Sequence, residues 1–275
     1  MYLVTGATGN VGRQVLARLI AEGQRVRAFC RHPERGAFPA GVEVVAGDMA
    51  DAGAARAALR GVRGLFLVRT EGLAAFWAEA ARSEARHVVF LSSATITLPV
   101  ETQIGRAHAE TEAMLRASAW TWSFVRAGGF MSNALRWAPG IRAAGAVRAP
   151  LVDGRSAPVD PRDLGDAAAA MLLHPERFGG AAPEVTGPEV LSLRQQVAIL
   201  ADALGRPIRV EEVPAAAARA QMLRAMPAPM VDSVMALIRH GASNPNPQVR
   251  SAEAITGSPP RTFAQWAADH RDAFR

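Results

Sequence analysis

Three glycines follow a short apolar run near the start of the chain. Gly6, Gly9 and Gly12 come directly after residues 2–5, and an apolar pattern with helical spacing begins at once behind them. Gly6 permits a tight turn, Gly9 lets the backbone approach a pyrophosphate, and Gly12 lets the helix pack closely on the strand. The helix N-terminus adds free N–H groups and a positive dipole end. This order predicts a dinucleotide site, with contacts from Gly6, Thr8, Gly9, Asn10, Val11 and Gly12.

The residue after the second apolar run distinguishes two dinucleotides. An acid there accepts hydrogen bonds from the ribose 2′-hydroxyl of NAD, whereas an arginine favours the 2′-phosphate of NADP. The run ends at Cys30 and is followed by Arg31, with no acid before Glu34. A planar guanidinium matches a phosphate, so Arg31 favours NADP(H), with NAD(H) as the alternative. Arg31 could instead be a solvated loop residue, and His32 and Arg35 could assist phosphate binding.

Two further loops directly follow apolar runs that we predict to be strands. Because ligands bind at the carboxyl ends of parallel strands, these loops are candidates for cofactor contacts. Asp48 follows the third run, where its carboxylate could accept a hydrogen bond from the adenine amino group, with Met49 packed nearby. The alternative is that Asp48 caps the helix that begins near Asp51. Val68 and Arg69 follow the fourth run, and they complete the expected cofactor contacts.

Strand-like apolar runs alternate with helical patterns through the first two thirds of the chain. The predicted strands cover residues 2–5, 26–30, 42–46, 64–68, 87–91 and 122–125, and the predicted helices that follow them include 51–59, 73–84 and 106–117. The alternation predicts an α/β fold, a doubly wound parallel-sheet Rossmann fold.

The β–α rhythm weakens after about Gly128. Helical patterns at 163–173, 193–204, 215–224 and 230–238 predict a smaller, mainly helical C-terminal lobe. We therefore expect a Rossmann domain over residues 1–150. The lobe over residues 151–275 would carry the substrate site or a lid, interleaved with the sheet edge.

Composition narrows the function classes. The 275 residues are 49% hydrophobic, without an apolar run of the roughly 18 residues that span a bilayer. With Met1 directly before the first strand and a single cysteine, Cys30, we expect a cytoplasmic protein. All 31 basic residues are arginines, and they are scattered among acids despite the net charge of +6, so we expect no nucleic-acid partner. The six histidines are dispersed, which predicts no metal site.

Further motifs extend the pattern over nearly the whole chain. They are 89–94 (VFLSSA), Glu112 with Leu115, 124–131 (FVRAGGFM) with Asn133, 159–163 (VDPRD) and 185–188 (VTGP). Together with the glycine turn and Arg31, these segments resemble the NmrA-like branch of the atypical short-chain dehydrogenases/reductases. The resemblance implies an NAD(P)(H)-binding Rossmann domain with a small C-terminal lobe. It also implies either a reductase, such as a quinone reductase, or a redox-sensing regulator with little or no catalysis.

The superfamily's usual catalytic pair is missing. Its members reduce carbonyls with a Tyr-x-x-x-Lys pair, in which the tyrosine delivers a proton. This sequence contains no lysine, and its one tyrosine, Tyr2, lies in the first strand. Alignment on Glu112 places Ile104 at the tyrosine position and His108 at the lysine position.

His108 and Ser93 are the candidate catalytic residues that remain. His108 could bind the ribose or relay a proton, since imidazole titrates near neutrality. Alternatively, it pairs with Glu112 one helical turn later. Ser93 matches the family's catalytic serine or threonine, and it could orient a substrate oxygen or satisfy a loop backbone group.

Functions of two classes fit these observations. The first is an NAD(P)H-dependent oxidoreductase that passes hydride to a quinone or another conjugated aromatic acceptor. Because such an acceptor delocalises the incoming negative charge, it relies less on a positioned proton donor than a simple ketone does. Phe130, Met131 and Trp137 could wall a flat aromatic pocket, or belong to the core. The second is a non-catalytic NADP(H)-binding redox sensor. A reductase of aromatic polyketide tailoring is a third option, and a homodimer is left open.

Overall fold

The structure is a computed structural model that describes residues 1–244 and 246–275, with only the backbone described at position 35. The strands are β1 (Tyr2–Thr5), β2 (Val26–Cys30), β3 (Glu43–Ala46), β4 (Gly64–Leu67), β5 (His87–Ser93), β6 (Thr121–Ala127), β7 (Ala146–Ala149), β8 (Arg155–Ser156), β9 (Glu184–Val185), β10 (Leu191–Ser192) and β11 (Arg209–Glu212). Within the described residues, the strands of the central sheet are all parallel and lie in the order β3-β2-β1-β4-β5-β6-β9.

The described helices include those that flank this sheet and others that pack beside it. They are α1 (Gly12–Ala21), α2 (Ala52–Leu59), α3 (Leu73–Ala80), α4 (Gln103–Arg116), α5 (Ala138–Ala144), α6 (Pro161–Leu173), α7 (Pro175–Phe178), α8 (Leu193–Leu204), α9 (Ala215–Met222), α10 (Ala228–Ser243), α11 (Glu253–Thr256) and α12 (Phe263–Asp269). Among the described residues, none of these helices is both long and apolar enough to span a membrane.

Alternate residues of each strand enter different cores. Val4 and Phe66 pack with α1 and α6, whereas their neighbours Leu3 and Leu65 pack with α2 and α3. Strands that bury both faces read as continuous apolar runs, which is why they are visible in the sequence. The predicted doubly wound Rossmann fold is therefore confirmed.

The C-terminal segment contributes to two places. It supplies β9 to the edge of the central sheet, and it supplies α6, whose Gly165 lies so close to α1 that a Cβ there would be 2.4 Å from Gln14 Cβ. A third core joins α5, β7, α8 and α12 around Trp266. The boundary at residue 150 stays a prediction. The sequence patterns predict none of β7 to β11. Three of these strands, β8, β9 and β10, have only two residues each, which is too few to show a period.

His87 gives the fold a predicted pH dependence. The side chain is 6% exposed at the start of β5, and burial lowers its pKa from 6.5 to about 4. The unfolded chain therefore binds a proton between these pH values while the folded chain does not, so stability falls as pH falls from 6.5 to about 4. The loss should reach about 3 kcal/mol. Denaturant unfolding across this range should show a shallower pH dependence in His87→Gln, and parallel curves would contradict the assignment.

Candidate active site

The glycine turn has no room for side chains at two of its three glycines. Gly6 has φ +59°, which favours glycine, and a Cβ there would be 2.7 Å from Val68 Cγ2. A Cβ on Gly12 would be 2.2 Å from the Gly6 carbonyl oxygen. The Gly9 amide donates to that same oxygen at 2.8 Å, which closes the turn. The close approach of α1 to the turn that follows β1 therefore depends on Gly12.

Three amides at the start of α1 are free for a ligand. The N–H groups of Asn10, Val11 and Gly12 have no hydrogen-bond partner among the described residues. The residues before them, Thr8 and Gly9, are exposed and leave the approach open. Free amides at a helix N-terminus bind anionic groups, so this cradle fits a pyrophosphate.

Thr5 connects the glycine turn to the loop after β4. Its buried hydroxyl donates to the Phe66 carbonyl at 3.0 Å and accepts from the Val68 amide at 3.0 Å. These bonds hold Val68 against Gly6, while the next residue, Arg69, is exposed. The sequence motifs do not single out Thr5, although a hydroxyl at the end of a buried apolar strand is a recognisable signal.

Arg31 lies beyond the end of β2 with its guanidinium available. It is exposed and forms no hydrogen bond or ion pair with any residue that the structure describes. The segment that follows it folds back to the glycine turn, since a Cβ on Gly36 would be 2.8 Å from Thr8 Cγ2. Arg31 therefore lies at the start of a loop that contacts the glycine turn.

His32 and Arg35 are the two residues predicted to assist Arg31 in binding a phosphate. His32 Nδ1 lies 3.3 Å from Glu34 Oε1, so His32 has a local partner. The side chain of Arg35 lies outside the described residues. A role for either in phosphate binding stays a prediction.

The loop after β3 corrects one of the two interpretations of Asp48. Asp51, not Asp48, caps α2, because its carboxylate accepts from the first-turn amides of that helix. Asp48 is exposed and accepts from the Ala50 amide at 2.8 Å. Met49 is 7% exposed, and its sulfur accepts from the Thr70 hydroxyl at 3.0 Å. The adenine contacts of Asp48 and Met49 stay predictions.

His108 does not pair with Glu112, so that interpretation is wrong. Its Nδ1 donates to the Ile104 carbonyl at 2.8 Å, and its ring lies 5.9 Å from the Phe90 ring. Nε2 is consequently the acceptor nitrogen of the neutral ring. Burial lowers the pKa of His108, and the positive charge of Arg69 lowers it further, which favours the neutral form.

Ser93 satisfies a loop backbone group, one of its two predicted roles. Its hydroxyl accepts from the Thr95 amide at 3.3 Å and lies 2.9 Å from the Thr95 hydroxyl. Helix α4 packs on this turn, since a Cβ on Gly105 would be 3.0 Å from the Thr95 carbonyl oxygen. The helix of His108 therefore lies beside the turn of Ser93. Orientation of a substrate oxygen by Ser93 stays a prediction.

Of the three large apolar residues after β6, Met131 is buried, whereas Phe130 and Trp137 are half-buried and pack against the cores. Met131 is 1% exposed in the third core, and Trp137 packs against that core from its edge. Phe130 packs against the core of α1 and α6. Ser132, two residues after Phe130, accepts a hydrogen bond from Asn10 Nδ2 at 3.3 Å, which links the glycine turn to this segment.

The strand order brings the predicted residues to one edge of the sheet. Loops after β1, β2, β3 and β4 carry the glycine turn, Arg31, Asp48 and Arg69 respectively, and Ser93 is the last residue of β5. The carboxyl ends of parallel strands form one crevice, where doubly wound sheets bind ligands. Over the described ranges, no cluster of three His, Cys, Asp or Glu side chains could hold a metal.

The chain belongs to the NmrA-like family, whose model matches residues 2–255. A (4-alkanoyl-5-oxo-2,5-dihydrofuran-3-yl)methyl phosphate reductase of Streptomyces griseus is 41% identical over 100% of this chain and 99% of its own. An NAD(P)H azoreductase of Xenophilus azovorans is 32% identical over 100% of this chain and 99% of its own.

A solved structure supports the fold independently. An NADPH-dependent quinone oxidoreductase of Escherichia coli, in complex with NADPH, superposes with a TM-score of 0.81. It is 22% identical and covers 98% of this chain and 99% of its own. The likeness shows that the two proteins share the Rossmann architecture with its C-terminal lobe.

Proposed function

We propose that this chain is an NADPH-dependent reductase of a conjugated small molecule. The observation that carries the proposal is the glycine turn, in which Gly12 meets the Gly6 carbonyl and three amides are left free. Full-length similarity to two reductases supports it. The substrate named for the Streptomyces griseus relative contains a C=C bond. An azoreductase acts on an N=N bond. Each of these double bonds can accept a hydride.

The residues at the sheet edge fit NADPH. The free amides of α1 would hold the pyrophosphate, and Arg31 would hold the 2′-phosphate. Asp48 and Met49 would border the adenine, and Val68 and Arg69 would border the ribose side. When bound, NADPH supplies the hydride. NADH remains the alternative, which a substitution at Arg31 tests.

The acceptor must do without a Tyr-Lys pair. The sequence contains no lysine. Tyr2 is 5% exposed and is the first residue of β1, so it lies at the opposite end of that strand from the glycine turn. A 4-alkanoyl-5-oxo-2,5-dihydrofuran accepts hydride at ring carbon C3, and the charge delocalises over two carbonyls. Such an acceptor needs a proton at C4 only afterwards. Ser93 or water would supply this proton, and His108 would relay one only after its neutral Nε2 takes up a proton from solvent.

A screen of acceptors tests the proposal. Loss of NADPH absorbance would be followed with an alkanoyl dihydrofuranone as phosphate and as free alcohol, an azo dye and a naphthoquinone. We expect turnover above the enzyme-free rate with at least one. Tight NADPH binding by calorimetry with no turnover on any acceptor would contradict a reductase and favour the non-catalytic sensor.

A further inference from the structure

A buried ionic network joins α4 to β5 and β6. Glu112 has no exposed surface, and its Oε1 accepts from the Ser92 hydroxyl at 2.6 Å and from Arg126 Nε at 3.0 Å. Its Oε2 accepts from Arg126 at 2.7 Å and from Arg116 at 2.8 Å. Burial alone would raise the pKa of this carboxyl, but the bonds from Arg126 and Ser92 outweigh it and hold the pKa below its usual range. Glu112 is therefore a carboxylate with both oxygens engaged.

The partners of Glu112 lie next to the candidate catalytic residues. Ser92 directly precedes Ser93, and it is paired with Arg126 across the sheet. Glu112 lies one helical turn after His108 on α4. A single carboxylate thus connects the helix that carries His108 to the strand that carries Ser93.

We propose that Glu112 is a positioning residue that fixes the spacing between His108 and Ser93. The inference rests on the proposed function, in which these two groups serve the proton transfer. A buried ion pair contributes little net stability compared with apolar packing, because desolvation offsets its attraction. Its directional bonds do, however, fix one arrangement of α4 against the two strands.

Two substitutions test the role at different strengths. Glu112→Gln keeps the shape but removes the charge that faces Arg126, and Ser92→Ala removes only the link to β5. We expect kcat to fall about 10- to 100-fold in Glu112→Gln and less in Ser92→Ala, since misplacement of about 1 Å can cost that much. The Kd for NADPH should stay within about twofold, because the glycine turn lies elsewhere on the sheet edge.

Asp163 offers a matched control. It is a second buried carboxylate, 3% exposed, which accepts from the Arg261 amide at 2.9 Å and from the Arg261 guanidinium. Asp163→Asn should lower the melting temperature as Glu112→Gln does, but leave kcat unchanged. Equal kcat losses in the two variants would show a general structural effect and overturn the inference.

The titration of His108 gives a readout that needs no turnover. The charged groups that act on His108 are Arg69, from the loop after β4, and Glu112, on its own helix. Removal of the Glu112 charge should lower the His108 pKa in an NMR titration, with His108→Asn for assignment. His87, at the other end of β5, should titrate as in the wild type.

The outcomes separate the two proposals. If no acceptor is reduced by the wild type, the proposed function fails, and the role of Glu112 in proton transfer fails with it. If the wild type is active and Glu112→Gln keeps the wild-type kcat, the inference alone is overturned. If Glu112→Gln does not fold, Ser92→Ala decides, and wild-type kcat in that variant overturns it as well.

Discussion

Replacing Gly12 with alanine should weaken dinucleotide binding at least about 100-fold. The new Cβ would be 2.2 Å from the carbonyl oxygen of Gly6 and 2.7 Å from its carbonyl carbon. Both are backbone atoms, so the clash can be relieved only if α1 moves away from the turn. Overpacking of this kind costs about 1–3 kcal/mol of stability. It also displaces the free amides of Asn10 and Val11, and we expect the Kd for NADPH in calorimetry to rise at least about 100-fold, the change that about 2.7 kcal/mol of lost binding produces.

Gly53→Ala is the matched control for this substitution. Gly53 lies in the first turn of α2, where a Cβ would meet only the Asp51 carboxylate at 3.2 Å. Alanine is preferred over glycine in helices by up to about 1 kcal/mol, which offsets that contact. The control should bind NADPH normally. Wild-type NADPH affinity in Gly12→Ala would show that the turn does not hold the dinucleotide.

Replacing Arg31 with aspartate should invert the preference between the two dinucleotides. Arg31 is exposed and has no partner among the described residues, so its guanidinium is free to pair with a 2′-phosphate. A charge-assisted hydrogen bond contributes about 1.5–3 kcal/mol, and an aspartate would add repulsion. We expect the Kd for NADPH to rise about 100-fold and the Kd for NADH to change less than about threefold.

Arg271→Asp controls for the change in overall charge. Arg271 is exposed in the final turn of the chain, and its replacement alters the net charge equally. It should leave both dissociation constants unchanged. Equal losses of NADPH and NADH affinity in Arg31→Asp would remove Arg31 from the phosphate site.

Features that depend on neighbouring residues could be predicted from the sequence. The glycine turn is one, because its conformational and spacing requirements act within seven residues. The cores on the two faces of the central sheet are another such feature. Strands such as β4 (Gly64–Leu67) are apolar on both faces, so they are visible in the sequence as continuous apolar runs. The strand edge that gathers Arg31, Asp48 and Ser93 follows from the parallel order.

Features that depend on a choice between equivalent partners could not be predicted from the sequence. Asp48 and Asp51 are both acids before α2, and only the backbone conformation decides that Asp51 caps the helix. His108 and Glu112 have the spacing of a helical pair. Glu112 instead binds Arg126, fourteen positions later, because β6 lies beneath α4. A tertiary contact of this kind leaves no periodic signal in the sequence.

Isotope transfer tests most directly whether this chain is a reductase. NADPH deuterated at C4 of the nicotinamide, in separate preparations for each face, would be incubated with the protein and the alkanoyl dihydrofuranone phosphate, and the product analysed by mass spectrometry and NMR. We predict one deuterium at ring carbon C3 from one of the two preparations, and a solvent proton at C4. A reduced product without deuterium from either preparation, or no reduction of any acceptor in the screen, would contradict hydride transfer by this protein.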